Sequence, residues 1–125
     1  MPTTDPDRVH SPLGFADCVR LLGSVAVGRL AYTQSALPAV RPVTFTLDGG
    51  DVLVPVRAGS PLLGAVRGAV VAFEADTYDD ARTGWTVTVV GPSRILEAAA
   101  RGRMAGCLIA VRLGLVQGWR TDDLT

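Results

Sequence analysis

Residues 39–62 read AVRPVTFTLDGGDVLVPVRAGSPL, and this stretch decides the fold. Its first part, residues 39–47, places large apolar side chains at every second position, which is typical of a half-buried strand. Asp48, Gly49 and Gly50 then supply residues that tolerate a positive φ in a tight turn. Residues 52–57 form an apolar return. The stretch therefore predicts an antiparallel β-hairpin.

Two serine–proline pairs predict short helices. In each pair the serine oxygen can cap free backbone amides, and the proline occupies the first turn, where its missing N–H costs nothing. Ser11-Pro12 predicts a helix that Gly23 ends, and Ser60-Pro61 predicts a second helix that ends at Gly68. Cys18 lies at helical spacing within the first helix and is expected to be a small core residue rather than a reactive thiol.

Four further apolar runs predict strands, at residues 25–33, 69–76, 84–96 and 108–120. A turn at 34–38, an acidic loop at 77–83 and a polar connector at 97–106 separate them, and Gly114 and Gly118 predict a bulge or bend in the last strand. Six strands and two small helices show no βαβ alternation, which favours a mainly β protein built as a small antiparallel barrel. We expect a flexible N-terminus at residues 1–10 and one domain at 11–125.

Composition removes many kinds of chemistry. The chain has 125 residues, twelve basic against twelve acidic side chains, a single histidine and no lysine. Zero net charge disfavours nucleic acid and membrane partners. The absence of lysine excludes a pyridoxal Schiff base and a Walker phosphate loop, and one histidine leaves no usual catalytic triad or multi-histidine metal site.

The apolar content and the N-terminus predict the setting of the protein. Hydrophobic residues make up 48% of the chain, more than a small monomer needs, so we expect a homodimer. The N-terminus lacks the apolar run of a secretory signal, and no stretch approaches the ~20 residues of a membrane span. These features predict a cytoplasmic protein with both cysteines reduced.

Two neighbouring segments are candidate binding elements. Arg57, Gly59, Ser60 and Leu62 place a fixed charge, a hydroxyl and free backbone amides at one turn, which suits a phosphate, although a capped helix beside a surface arginine gives the same pattern. Arg41-Pro42-Val43-Thr44 carries a proline inside a strand. It predicts either an edge strand or a ligand-facing bulge that reads the edge of a planar ring.

Aromatic and acidic residues give weaker signals. Trp85 opens a strand beside Gly84, and Trp119 lies near the C-terminus. Either could wall a flat ligand, and for either one packing is the alternative. The acidic residues Asp76, Asp79 and Asp80 do not have the spacing of a calcium loop and are expected to form a solvated loop, so no metal site is predicted.

The chain resembles the pyridoxamine 5'-phosphate oxidase-like family of FMN-binding split β-barrels, in its short actinobacterial form. The resemblance runs from about Phe15 to Arg120, and its anchors are Val27-Gly28-Arg29-Leu30-Ala31, Arg41-Pro42-Val43-Thr44-Phe45, Asp48-Gly49-Gly50, Gly59-Ser60-Pro61-Leu62, Ala72-Phe73-Glu74-Ala75-Asp76 and Gly84-Trp85-Thr86-Val87. It implies a homodimeric six-stranded split barrel with the flavin at the subunit interface. It also implies that Arg57 and Ser60 hold the phosphate, that Arg41 to Thr44 meet the ring edge, and that an aromatic such as Trp85 comes from the other subunit.

One departure from the family pattern affects the cofactor. Family members commonly carry a lysine where this chain has Pro61, and Thr44 replaces a frequent asparagine. Losing one charge-assisted contact weakens phosphate binding by about 1.5 to 3 kcal/mol. The resemblance therefore implies either an FMN-dependent oxidoreductase acting on a small conjugated substrate, with the chemistry at the flavin itself and no catalytic side chain named, or a barrel without flavin redox that binds a deazaflavin, haem, a metabolite or a protein partner. A purely structural dimer is a third reading.

Overall fold

The structure is a computed structural model, and it describes residues 8–97 and 106–123. These residues form nine strands and two helices. In chain order they are β1 (Arg8–Pro12), α1 (Phe15–Leu22), β2 (Val27–Gln34), β3 (Leu37–Thr44), β4 (Thr46–Asp48), β5 (Asp51–Arg57), α2 (Pro61–Val66), β6 (Val70–Tyr78), β7 (Gly84–Glu97), β8 (Gly106–Arg112) and β9 (Leu115–Asp123).

All strand pairs are antiparallel, and β7 is the strand that joins the two halves of the barrel. The order is β3-β2-β6-β7-β8-β5-β4, with β9 beside β7 and β1 beside β9. Residues 84–90 of β7 pair with β9, whereas residues 93–97 pair with β8. At the changeover a Cβ on Gly91 would overlap the carbonyl oxygen of Arg112, so only glycine fits there. The prediction of a mainly β, antiparallel split barrel is confirmed.

The core lies inside the curled sheet and is closed by the two helices. Alternate residues are buried from Val71 to Ala75 in β6 and from Trp85 to Ser93 in β7, including Phe73 and Val87. Phe45 packs edge-on against Phe73, with ring centroids 4.6 Å apart. Cys18 on α1 is 1% exposed, which confirms its predicted role as a core residue. Both cysteines are free thiols.

The predicted N-terminal cap at Ser11-Pro12 is wrong. These residues end β1, where Pro12 lies opposite Trp119 of β9, and Leu13 N then donates to Gly118 O at 2.8 Å. The first helix begins at Phe15 after Gly14, which makes no side-chain cap. Arg8–His10, expected within the flexible terminus, belong to β1, and residues 1–7 lie outside the described residues.

The single strand predicted at residues 39–47 is divided into two strands in the structure. Residues 37–44 pair with β2 as β3, and residues 46–48 pair with β5 as β4. The strand breaks at Phe45, whose N–H donates to Ala26 O at 3.1 Å. The sequence had predicted that Arg41–Thr44 pairs with residues 52–57. In the structure this segment pairs with β2 instead.

The predicted last strand is also divided. Gly114 lies in a turn between β8 and β9, so residues 108–120 belong to two strands rather than one bent strand. Together with β1 and the break at Phe45, this division accounts for nine strands instead of six. The predicted polar connector at 97–106 falls mostly on residues 98–105, which lie outside the described residues. Neither described helix is long or apolar enough to cross a membrane.

Candidate functional site

A groove of about 590 Å³ lies between β3 and the turn that leads from β5 into α2. It is lined by two continuous segments, residues 41–44 and 55–62. The barrel brings these segments together although they belong to strands that do not pair with each other. Every binding residue predicted from the sequence except the two tryptophans lines this groove: Arg41, Pro42, Val43, Thr44, Arg57, Gly59, Ser60 and Leu62.

The wall on the β3 side is an edge strand. Among the described strands β3 pairs with β2 alone, so half of its backbone groups face away from any of these strands. Pro42 has no N–H to leave unpaired at such an edge, which agrees with the edge-strand interpretation of its sequence position. Arg41 lies opposite the buried Leu30 and is therefore on the barrel-facing side, at the mouth of the groove.

The opposite wall is a tight turn locked by its own hydrogen bonds. Ser60 N donates to Arg57 O at 3.1 Å, and Gly59 takes a φ of +83°. Leu62 N donates to Ser60 Oγ at 3.2 Å, which confirms the predicted cap of α2. The Ser60 hydroxyl accepts in this bond, so its own proton stays available for an anionic oxygen. Leu62 is 2% exposed and anchors the turn to the core.

The charge of the groove is positive. Arg41 and Arg57 are both exposed, and within the described residues neither forms an ion pair. Arg29 and Arg94 differ, because each is held by carboxylates. Two guanidinium groups without a protein counterion beside one groove favour an anionic ligand. The part of the chain that the structure describes holds no cluster of three metal-ligating side chains.

The two tryptophans do not line this groove. Trp85 is 6% exposed and shares the inward face of β7 with Val87 and Val89, so it is a packing residue. This burial corrects the expectation that Trp85 is offered to another subunit. Trp119 is 40% exposed and lies opposite Thr86 on the other side of the sheet.

That other side is a broad solvent-facing surface, which we call the outer face. It consists of the outward residues of β3, β2, β6, β7 and β9, paired in register. Large apolar side chains lie exposed on it: Val27, Val40, Val70, Tyr78, Leu115 and Trp119. The outer face continues directly into the groove, because Pro42 and Thr44 belong to both.

A charged cluster that the sequence analysis missed lies in the middle of the outer face. Arg29 Nη1 is 2.9 Å from Glu74 Oε1 and 3.6 Å from Asp76 Oδ2. Burial raises the pKa of Glu74 to about 7, assisted by the hydrogen bond and the negative charge of Asp76, and Arg29 only partly offsets this. Alternation in β6 was the available signal, since Glu74 and Asp76 interleave with Phe73 and Ala75.

The acidic residues expected to form a solvated loop divide into two groups. Asp79 and Asp80 are exposed in the turn after β6, where Asp79 Oδ1 accepts a bond of 2.9 Å from Thr83 N. Asp76 instead belongs to β6 and contacts Arg29.

Comparisons with known proteins agree with the observed fold. The family model for pyridoxamine 5'-phosphate oxidase matches residues 15–123. The uncharacterized protein Rv0080 of Mycobacterium tuberculosis is 44% identical over 81 residues, which cover 60% of this chain and 53% of that protein. The match thus spans about half the length of this curated relative.

Solved structures of other proteins share the architecture. The FAD binding protein from Mycobacterium smegmatis superposes with a TM-score of 0.75 and 28% identity, covering 90% of this chain and 98% of that chain. An FAD-binding protein from Mesorhizobium loti gives 0.73 and 16%, with coverage of 93% and 99%. The FAD and heme binding protein from Mycobacterium smegmatis gives 0.75 and 15%, with coverage of 93% and 74%.

Proposed function

The chain belongs to the pyridoxamine 5'-phosphate oxidase family, and from this membership we propose that it is a flavin-binding oxidoreductase. The flavin would lie in the groove between β3 and the β5–α2 turn and would exchange hydride or electrons with a small conjugated substrate. The single observation that supports this most is the groove itself, which gathers Arg41, Arg57 and Ser60 around about 590 Å³.

The residues of the groove fit the phosphate end of a flavin. Arg57 carries an exposed guanidinium without an ion pair in the described chain, and the Ser60 hydroxyl keeps a free proton. The space above Gly59 is open, since a Cβ there would meet no atom within 4 Å, so a ligand can approach the backbone closely. A charged donor, a hydroxyl and an accessible backbone are the groups that bind phosphate.

Along β3, the chain's own groups would orient the ring. The backbone groups of residues 41–44 that face away from β2 offer hydrogen-bonding partners to the edge of a planar heterocycle. Val43 is half-buried and gives an apolar floor. A bound flavin supplies the redox chemistry, so the protein's part is binding, orientation and exclusion of water.

A homodimer belongs to this proposal. The outer face exposes apolar side chains that favour association, and it runs into the groove at Pro42 and Thr44. A second copy packed on this face would cover the open side of the groove. Trp119, being exposed on that face, replaces Trp85 as the aromatic that one subunit can offer to the other.

A second candidate rests on Pro61. This residue stands in the groove where a lysine would add a phosphate contact. Its presence favours a weakly held FMN, an FAD, a deazaflavin or another ligand in the same groove. Related structures are described as binding FAD, and one as binding FAD and haem. Haem is the weaker option here, because the chain's single histidine, His10, lies on β1 bonded to Thr121 and does not line the groove.

The test is spectroscopic. The visible absorption of the purified protein is recorded before and after titration with FMN and FAD, and with the R57A and R67A variants. We expect flavin binding that R57A weakens at least tenfold, while R67A, an exposed arginine beyond α2 that does not line the groove, leaves it unchanged. Absence of flavin binding in the unaltered protein would remove the proposal.

The variant P61K separates the two candidates. Pro61 is an exposed residue in the first turn of α2, a position that accepts lysine with little backbone penalty. If the groove is a weakened FMN site, the new ammonium tightens FMN binding. A folded P61K protein with unchanged FMN affinity would assign the groove to another ligand.

A further inference from the structure

The cluster of Arg29, Glu74 and Asp76 has an uneven charge balance. Among the described residues, Arg29 is the one guanidinium within reach of these two carboxyl groups, at 2.9 Å from Glu74 and 3.6 Å from Asp76. With both acids ionised the cluster carries one net negative charge. With Glu74 protonated it is neutral. The same three residues can therefore present either a charged or an uncharged centre.

No charged side chain outside the cluster faces Glu74 from the neighbouring described strands. Arg29 faces it from β2 and Asp76 from its own strand. On β7 the neighbours are Thr88, directly opposite, and Thr86, whose hydroxyl contacts that of Tyr78 at 2.5 Å. Where β3, β2, β6 and residues 84–92 of β7 lie side by side, the outer face carries no other charged side chain.

The outer face has the size and composition that a second copy needs. Five strands spaced at about 4.8 Å and about eight residues long give a surface of roughly 600 Å². A standard interface buries about 800 Å² on each partner, so the outer face supplies about three quarters of this area and its rim has to supply the rest. Isologous contact would bring two copies of one surface together, including their charged centres.

We propose that two copies associate through the outer face with Glu74 protonated, so that forming the dimer takes up protons at this residue. The inference rests on the homodimer of the proposed function and adds its regulation. Across a two-fold contact, ionised clusters would place two net negative charges in a surface shielded from water, whereas protonated clusters place none. The neutral form of Glu74 keeps a hydroxyl that can donate to Asp76, so protonation satisfies both acids.

The direction of the pH dependence follows from linkage. Glu74 already has a pKa raised to about 7 in the single chain. Covering it with a second copy removes more water and raises the pKa further, so the dimer holds protons that the separated chains release. Association therefore weakens as pH rises above about 7, by at most about 100-fold per pH unit for two carboxyls.

The experiment measures the dimer dissociation constant by sedimentation at about pH 6 and about pH 8.5. The unaltered protein is compared with E74Q, which carries a permanently neutral isostere. E97Q makes the same chemical change at an exposed residue at the end of β7. H10Q removes the only imidazole as another source of pH dependence.

We expect the dissociation constant of the unaltered protein, E97Q and H10Q to rise at least tenfold between the two conditions, with E74Q remaining a tight dimer at both. A dimer of equal affinity at both pH values overturns the inference and leaves the homodimer standing. An E74Q protein that keeps the full pH dependence also overturns it. A monomer under all conditions overturns the homodimer as well, and flavin titration of the same samples shows whether the groove binds its ligand regardless.

Discussion

Two carboxylate–arginine networks on different parts of the barrel have opposite ratios of arginines to carboxylates. On β5, Asp51 receives two bonds from Arg94, at 2.8 and 3.2 Å, and lies 3.9 Å from Arg112. On the outer face, two acids share Arg29. The hydrogen bond from Arg94 lowers the pKa of Asp51, with smaller help from the charges of Arg94 and Arg112. Burial and Asp76 raise the pKa of Glu74 to about 7.

The difference shows that the number of partners, rather than the presence of a salt bridge, decides what a buried acid does. Asp51 is buried and has more cation than it needs, so it stays ionised and ties β5 to β7 across β8. Glu74 has to share one cation, so its charge is marginal near neutral pH. The first network is a structural lock, and the second is sensitive to protons.

The largest expected effect comes from breaking the lock. D51N removes the charge that holds both arginines. We expect the free energy of unfolding to fall by about 1 to 2 kcal/mol, a modest loss because the arginine side chains are partly exposed to solvent. The measurement is urea unfolding at neutral pH, with D48N on the adjacent exposed residue as the matched control. The stability given by Asp51 is present above its unfolded pKa and is lost as pH falls through its lowered folded pKa. In D51N the free energy of unfolding should therefore depend less on pH under acidic conditions. Equal losses of stability in D51N and D48N would contradict the structural role assigned to Asp51.

A smaller change of opposite sign is expected on the outer face. The folded pKa of Glu74 lies above its unfolded value, so the folded state loses stability as pH rises from about 4.5 to about 7. E74Q removes this loss and should stabilise the protein at about pH 8 by roughly 1 kcal/mol after solvent screening. Urea unfolding below and above neutrality checks it. A destabilised E74Q at high pH would mean that the ionised carboxylate is needed.

Adding a second cation to the outer face should make the two networks alike. Thr88 lies directly opposite Glu74 on β7, and T88R places a guanidinium beside the acids. We expect the pKa of Glu74 to fall by roughly half a unit. The change is read from the carboxyl carbon shift of Glu74 in an NMR titration, with T33R near the far end of β2 as a control for surface charge. An unmoved titration of Glu74 in T88R would show that burial alone sets its pKa.

The smallest effect is expected at Arg112. Its Nε is 3.9 Å from Asp51 and its side chain is 57% exposed, so R112Q should cost less than about 0.5 kcal/mol. Urea unfolding beside D51N gives the comparison. A loss as large as that of D51N would show that the lock depends on both arginines rather than on Arg94.

Local chemistry predicts the parts of the fold that local chemistry controls. Gly49 and Gly50 take positive φ values of 58° and 83° in the predicted hairpin turn. Ser60 caps α2 as its sequence indicates, and the strand predicted at 84–96 is found at 84–97. Both groove segments were identified because each carries such a local signal, a strand proline in one and a capped turn in the other.

Long-range pairing decides what the sequence could not show. Ser11 has a good capping side chain, but its strand pairs with β9 and the cap is never formed. Phe45 interrupts an alternating run because its backbone bonds to Ala26 and its ring packs on Phe73. Trp85 did not need long-range information. It lies on the same side of β7 as Val87 and Val89, so alternation along the strand alone predicts an inward side chain.

The pairing of β1 with β9 has a kinetic consequence. Pro12 and Trp119 face each other although more than 100 residues separate them in the chain. Closing so long a loop is entropically costly, so β1 joins the sheet after nearby hairpins such as β6–β7 have formed, and folding should take milliseconds to seconds. During that interval one edge of β9 offers free backbone groups to any extended segment. Refolding at high protein concentration therefore exposes β9 to pairing with the wrong chain, and dilution should raise the yield.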